Sequence, residues 1–161
     1  MKKSIIILRT LIFVTCALLL FGWFALSLRA FDHSFRIVLP TWIKFLGITL
    51  MAMGGLIVFI CGGILSTRGI GTPGDLLFPK EFVAFGPFRY VRNPMSLGAV
   101  ILLIGFGLCY RSISILLSAL LLFLIFHLVA VFVEEPGLEK RFGDSYREYK
   151  KRVNRWIPKW K

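Results

Sequence analysis

Apolar residues fill four long stretches of the chain, and polar residues collect between them. The first stretch runs from Ile5 to Leu28, with Arg9 its only charged residue. The second runs from Trp42 to Leu65, with Lys44 near its start. The third runs from about Pro94 to Tyr110 and is short, and the fourth runs from Ile113 to Val133 with His127 inside it. A helix needs about 20 mostly apolar residues to cross a bilayer, so the pattern predicts four membrane-spanning helices. Only Arg111 and Ser112 separate the last two, which predicts a tight helical hairpin. Lys2 and Lys3 ahead of the first stretch resemble the start of a signal peptide, but the apolar run is too long for one and no small-residue cleavage site follows. It reads as a span.

The segments between the spans carry their own patterns. Ser66 to Asn93 is a polar loop rich in Gly and Pro. Gly69, Gly71, Pro73, Gly74 and Pro79 predict a series of turns, and Gly86-Pro87 predicts another. Phe82, Phe85, Phe88, Tyr90 and Val91 are too apolar for a free linker and must cover something. Pro94 suits the first turn of the third span, where its missing N–H costs nothing. Glu134 and Glu135 close the fourth span after 21 residues without an acidic group. At a membrane boundary they read either as a polar stop or as partners for a cationic ligand group. Pro136 then starts a new helix or kinks the old one. In the tail, Leu138, Phe142, Tyr146, Tyr149, Val153 and Trp156 fall on one helical face. Gly143 is expected to split that helix, Ser145 and Glu148 to form a capping box for its second half, and the basic amphipathic tail to lie on the inner leaflet. Within the spans, Gly47 and Gly54, Gly55 and Gly62, and Gly98 and Gly105 are each seven apart, about two helical turns, and predict close helix packing.

Composition agrees with a membrane chain. Of the 161 residues, 57% are hydrophobic and 17% charged, against roughly 45–50% and 25% in soluble domains. The fold class expected is all-α and integral to the membrane: about four transmembrane helices and a C-terminal amphipathic interfacial helix, forming one domain over residues 1–161. The net charge is +12, with 20 Lys and Arg. Four of these, Arg29, Arg36, Lys44 and Arg111, fall on one side of a four-span arrangement; the rest fall in the N-terminus, the middle loop and the tail. That bias places both termini and the middle loop in the cytoplasm of a multi-pass protein, as in a bacterial inner membrane. The charge is then read by anionic lipid, and no basic soluble domain remains to bind nucleic acid. Cys16, Cys61 and Cys109 lie far apart in apolar runs, read as small buried hydrophobes, and no metal site is expected.

The blocks GPFRYVRNPMSLG (Gly86 to Gly98) and EEPGLEKRFGDSYREYKKRV (Glu134 to Val153), with a two-span hairpin between them and Pro158 after them, form a familiar pair. The chain resembles the isoprenylcysteine carboxyl methyltransferase and phospholipid methyltransferase superfamily over about Gly71 to Pro158. The resemblance implies an integral-membrane enzyme that transfers a methyl group from S-adenosylmethionine to a lipophilic acceptor, either isoprenylcysteine carboxylate-like or phospholipid amine-like. It places cofactor contacts on Lys80, Glu81, Phe82, Val83, Phe88, Asn93, Pro94, Met95, Ser96 and Glu134. Glu134 would face the methionine ammonium, with Glu135 and Arg92 supporting the pocket. The sulfonium activates the methyl group, so the protein mainly positions it and excludes water; no Rossmann glycine motif is needed or present.

Three positions depart from the superfamily pattern. Asn93 stands where eukaryotic members have His; it can hydrogen-bond but not titrate. Ser96 replaces an aromatic Tyr. Ala130 stands where isoprenylcysteine enzymes carry an Arg implicated in the substrate, and the nearby candidate is His127, one turn earlier, as a packed group or a proton acceptor. Carboxyl methylation needs no general base, whereas amine methylation needs a deprotonated amine, which His127 could assist. Two other classes of reading compete. One is a non-catalytic scaffold or lipid binder that kept the fold. The other is a nicotinamide-dependent membrane reductase, whose phosphates could use Arg89 and Arg92 but would be opposed by Glu134.

Overall fold

The computed structural model describes residues 12, 15, 16, 19, 20, 22–34, 39–68 and 84–159. Half of the expected first span lies outside the described residues, although 22–28 are helical and Ala25 packs in a core with Leu103, Ile115 and Ala119. The helices that follow are α1 (Ile43–Arg68), α2 (Pro94–Tyr110), α3 (Ile113–Val129), α4 (Glu135–Phe142) and α5 (Asp144–Arg152). Among the described residues, two helical segments are long and apolar enough to cross a membrane: Ile43–Leu65, and Ile113–Phe142, which is α3 continued into α4. α2 has 17 residues, about 25 Å of helix against a hydrocarbon core of about 30 Å. Leu120, Leu121, Leu124 and Leu128 are exposed along α3, a surface suited to lipid rather than water.

α1 and α2 meet along glycine. A β-carbon on Gly54 would stand 2.5 Å from the Leu102 amide nitrogen and 2.6 Å from the Gly98 carbonyl oxygen, and one on Gly105 would stand 2.5 Å from the Met51 amide nitrogen. Gly47 is as tightly held, 2.7 Å from the Cys109 amide nitrogen. The two helices therefore touch backbone to backbone. Of the two stripes expected on α1, Gly47–Gly54 forms this seam. Gly55 meets only the Leu102 side chain, at 3.7 Å.

The hairpin between α2 and α3 closes as expected, with Arg111 in the left-handed region at φ 55°. Ser112 caps α3 by accepting the Ile115 N–H at 3.2 Å. A second cap comes from far away in the chain: Asp32, in the 3-10 turn Arg29–Ser34, accepts the Ser114 N–H at 3.0 Å. Arg29 lies over the Tyr110 ring at 5.0 Å. These contacts tie the segment before α1 to the hairpin tip. Loss of a capping carboxylate typically costs about 1 kcal/mol, so Asp32→Ala is expected to lower the apparent melting temperature by about 2–4 °C, measured by tryptophan fluorescence in detergent.

At the far end of α3 the chain stays helical into α4, which starts at Glu135 with Pro136 in its first turn as expected. Ala130–Glu134 form a π turn, and the Glu135 N–H bonds back to the Ala130 carbonyl, five residues earlier. Pro136 explains it. Proline has no N–H to give the carbonyl four residues before it, and a wider turn accommodates the gap. The helix then breaks at Gly143, with φ 54°, as expected. The capping box does not form: α5 starts at Asp144 with no side-chain cap, and Glu148 instead pairs with Arg152 at 2.8 Å. The tail's apolar face is also not free to lie on lipid. Tyr146, Tyr149 and Val153 form a buried cluster with Leu138 and Phe142 against it. Two short helices folded on each other bury that stripe internally, and their basic residues face outward.

Candidate active site

The site is assembled where the end of the polar loop, the α3–α4 junction and the tail converge. A 3-10 turn, Gly86–Arg89, starts with Gly86 at φ 61°, a conformation that glycine adopts without strain. It delivers Phe88, whose carbonyl accepts the Tyr149 hydroxyl. The chain then runs beside the tail: Val91 and Asn154 form a parallel bridge, Arg92 N–H donates to the Asn154 carbonyl at 2.9 Å, and Asn93 N–H donates to the Arg155 carbonyl at 3.4 Å. Pro94 sits in the first turn of α2 as expected, and Asn93 precedes it without capping the helix.

Glu135 is the electrostatic centre. It is 5% exposed. The Arg155 guanidinium grips it with two bonds, Nε to Oε1 at 2.6 Å and Nη2 to Oε2 at 3.0 Å. Arg92 Nη1 approaches Oε1 at 3.3 Å, as an ion contact without hydrogen-bond alignment, and Lys150 stands at 3.7 Å. The Glu135 hydrogen bond raises the Arg155 pKa. Beneath the cluster, burial pushes the Tyr146 hydroxyl up to about 12, so it remains a protonated group at neutral pH.

Two features are left open. Among the described residues, Arg92 Nε and Asn93 Nδ2 are buried without a hydrogen-bond partner. Glu134, partly buried, makes no hydrogen bond or ion pair among the described residues. Buried donors are rarely left unpaired, and an orphaned one costs about 1–3 kcal/mol. The cluster thus offers donors for an anionic group beside a carboxylate for a cationic one. An α-amino acid zwitterion carries both, and the methionine end of S-adenosylmethionine is such a zwitterion. The residues present fit that group.

The sequence-level candidates divide clearly. Arg92, Asn93 and Glu135 come together, with Glu134 next in the chain. Pro94 is buried and Phe88, Met95 and Ser96 are half-buried nearby. Lys80, Glu81, Phe82 and Val83 lie outside the described residues. His127 is engaged elsewhere: its Nδ1 accepts the Trp156 indole N–H at 3.0 Å, and Phe123 stacks on Trp156 at 5.0 Å. An indole can only donate, so this bond places the proton of neutral His127 on Nε2. Ala130 is buried, 1% exposed, at the start of the π turn. Arg155 was not singled out from the sequence. A buried carboxylate requires a charged partner, and that requirement is the only signal for it, because nothing in the spacing connects position 155 with 135.

Residues 42–145, well over half of the chain, match the phospholipid methyltransferase family. The chain belongs to this family. Through it the chain falls in the isoprenylcysteine/phospholipid methyltransferase superfamily, and at that level it is a methyltransferase of the membrane type. The family match starts earlier than the resemblance did, at Trp42 rather than about Gly71, and stops at Ser145, ahead of the tail segment that carries Asn154 and Arg155. An uncharacterized protein of Haemophilus influenzae (strain ATCC 51907 / DSM 11121 / KW20 / Rd) is 32% identical over 63 residues, which cover 39% of this chain and all of that protein.

Proposed function

We propose that the protein methylates a lipophilic acceptor with S-adenosylmethionine, at the end of the helices where Arg92, Asn93, Glu134 and Glu135 meet. The observation that carries this reading is the pair of buried donors on Arg92 and Asn93 without partners among the described residues, with the Glu134 carboxylate, likewise unpaired among them, next in the chain to the Glu135 that Arg92 contacts. When bound, S-adenosylmethionine supplies a methyl group already activated by a sulfonium. Glu134 holds the ammonium. Arg92 Nε and Asn93 Nδ2 donate to the carboxylate, and Glu135, fixed by Arg155, keeps the Arg92 guanidinium in place. Phe88 and the loop residues Lys80, Glu81, Phe82 and Val83 enclose the remainder and exclude water. The site sits in a single membrane domain with four spans and with both termini and the middle loop in the cytoplasm, the side that carries most of the cations.

Two acceptor chemistries fit. The family points to a phospholipid amine. The occupied Nδ1 of His127 points to a nucleophile that needs no base there: a carboxylate, or an amine that arrives neutral. An acceptor panel with radiolabelled methyl donor separates them. The cofactor is tested first, by equilibrium binding of S-adenosylmethionine to the purified protein in lipid nanodiscs. Micromolar binding is expected. Glu134→Gln is expected to weaken it about tenfold or more, the loss of one charge-assisted bond of about 1.5–3 kcal/mol, with melting unchanged because the Glu134 carboxylate makes no hydrogen bond or ion pair among the described residues and Gln keeps its shape. Absence of binding by the native protein would overturn the methyl-transfer reading and favour a scaffold.

A further inference from the structure

The tail beyond α5 makes several contacts around the site. Its backbone carbonyls at Asn154 and Arg155 accept the amides of Arg92 and Asn93. Its Arg155 side chain grips Glu135. Its Trp156 indole donates to His127, on α3. Three consecutive residues, Asn154 to Trp156, thus join the start of α2, the α3–α4 junction and the last turn of α3.

We propose that Arg155 is a positioning residue of this site, through which the tail sets Glu135, Arg92 and Asn93. The geometry gives Arg155 two independent holds on the same place. Its guanidinium neutralises a carboxylate that is 5% exposed, using both oxygens, and a planar fork matches a carboxylate in a way that a lysine ammonium does not. Its carbonyl receives the Asn93 amide directly. Arg92 reaches the same Glu135 oxygen Oε1 that Arg155 Nε holds, at 3.3 Å. Releasing Arg155 therefore frees Glu135 to turn toward Arg92 and Lys150, and the Arg92 guanidinium would move with it. The orphaned donor at Arg92 Nε would be carried along, and the turn that bears Asn93 would loosen. The tail acts on any ligand only through these groups, and Arg155 itself need not touch it. This deepens the methyl-transfer reading and rests on it for the identity of the ligand, whereas the coupling between Arg155 and the Arg92–Asn93 turn is independent of it.

The test uses the full chain in nanodiscs, as native protein, Arg155→Gln and Arg155→Lys. Backbone hydrogen exchange is read at the amides of Arg92 and Asn93, and S-adenosylmethionine affinity is read in parallel. In Arg155→Gln, exchange at these two amides is expected to quicken about tenfold while amides along the α1–α2 seam keep their native rates, and affinity is expected to fall about fivefold or more. Arg155→Lys, which keeps the charge without the fork, is expected to lie between. Exchange within about twofold of native in both variants would overturn the coupling. A uniform quickening along the chain in both variants would reduce Arg155 to a general structural role and overturn the proposal. Faster local exchange with unchanged affinity would overturn it as well. If the native protein binds no S-adenosylmethionine, the methyl-transfer reading falls, and the exchange measurement still decides the coupling.

Discussion

Gly105→Val is expected to separate α1 from α2. The added β-carbon would stand 2.5 Å from the Met51 amide nitrogen and 2.7 Å from the Gly47 carbonyl oxygen. Both obstacles are backbone, so no side-chain rotation can make room, and the helices must move apart along their length. Overpacking of a tight interior costs about 1–3 kcal/mol and sometimes more. A clash with backbone belongs at the upper end, so apparent melting is expected to fall by about 6–12 °C. Gly54→Val faces the Leu102 amide nitrogen at the same distance and is expected to behave alike. Gly63→Ala is the control: nothing lies within 4 Å of its added carbon, and alanine is the better helix former, so melting should hold or rise slightly. Equal melting of all three variants would show that the seam is looser than its geometry requires.

Glu135→Ala is expected to be the most damaging change at the site. It leaves the Arg92 and Arg155 guanidinium groups facing each other in a partly buried space, with Lys150 close by. Removing one partner of a buried ion pair costs about 3–5 kcal/mol, chiefly because the remaining charge is uncompensated. Apparent melting is expected to fall by about 6–20 °C. Glu135→Gln should fall less, since its amide oxygen still accepts one guanidinium bond. Melting curves across 0.05–1 M salt give a second measure: Debye screening shortens to about 3 Å at 1 M, so added salt should recover part of the loss in the alanine variant. No recovery would mean that packing, rather than charge, sets the cost.

Features governed by local pattern were the ones legible in the sequence. The bounds of α2 follow from an apolar run closed by Pro94 and by the pair Arg111-Ser112. The break at Gly143 follows from glycine's freedom at positive φ, and Arg92, Asn93 and Glu135 emerge from two motif blocks that the fold does bring together. What escaped depends on contacts distant in the chain. The π turn answers the missing N–H of Pro136, and spacing alone does not tell a widened turn from a kink. Ser145 and Glu148 have the spacing of a capping box, but the chain enters α5 two residues earlier, with Gly143 at the cap, and Glu148 finds Arg152 instead. The tail stripe was visible as a face; that it packs on itself requires knowing that the chain reverses at Gly143. Arg155 reaches Glu135 across 20 positions, and no periodicity encodes that.

The glycine seam has a consequence for how the chain can vary in length. Each helix presents its contact points seven residues apart, and the partner's backbone fills the space between. One residue inserted or removed inside Ile43–Arg68 or Pro94–Tyr110 would rotate everything beyond it by about 100° and replace glycine with a side chain at the next contact. The two helices therefore work as a ruler with fixed marks, and a change of length is not tolerable anywhere along the seam.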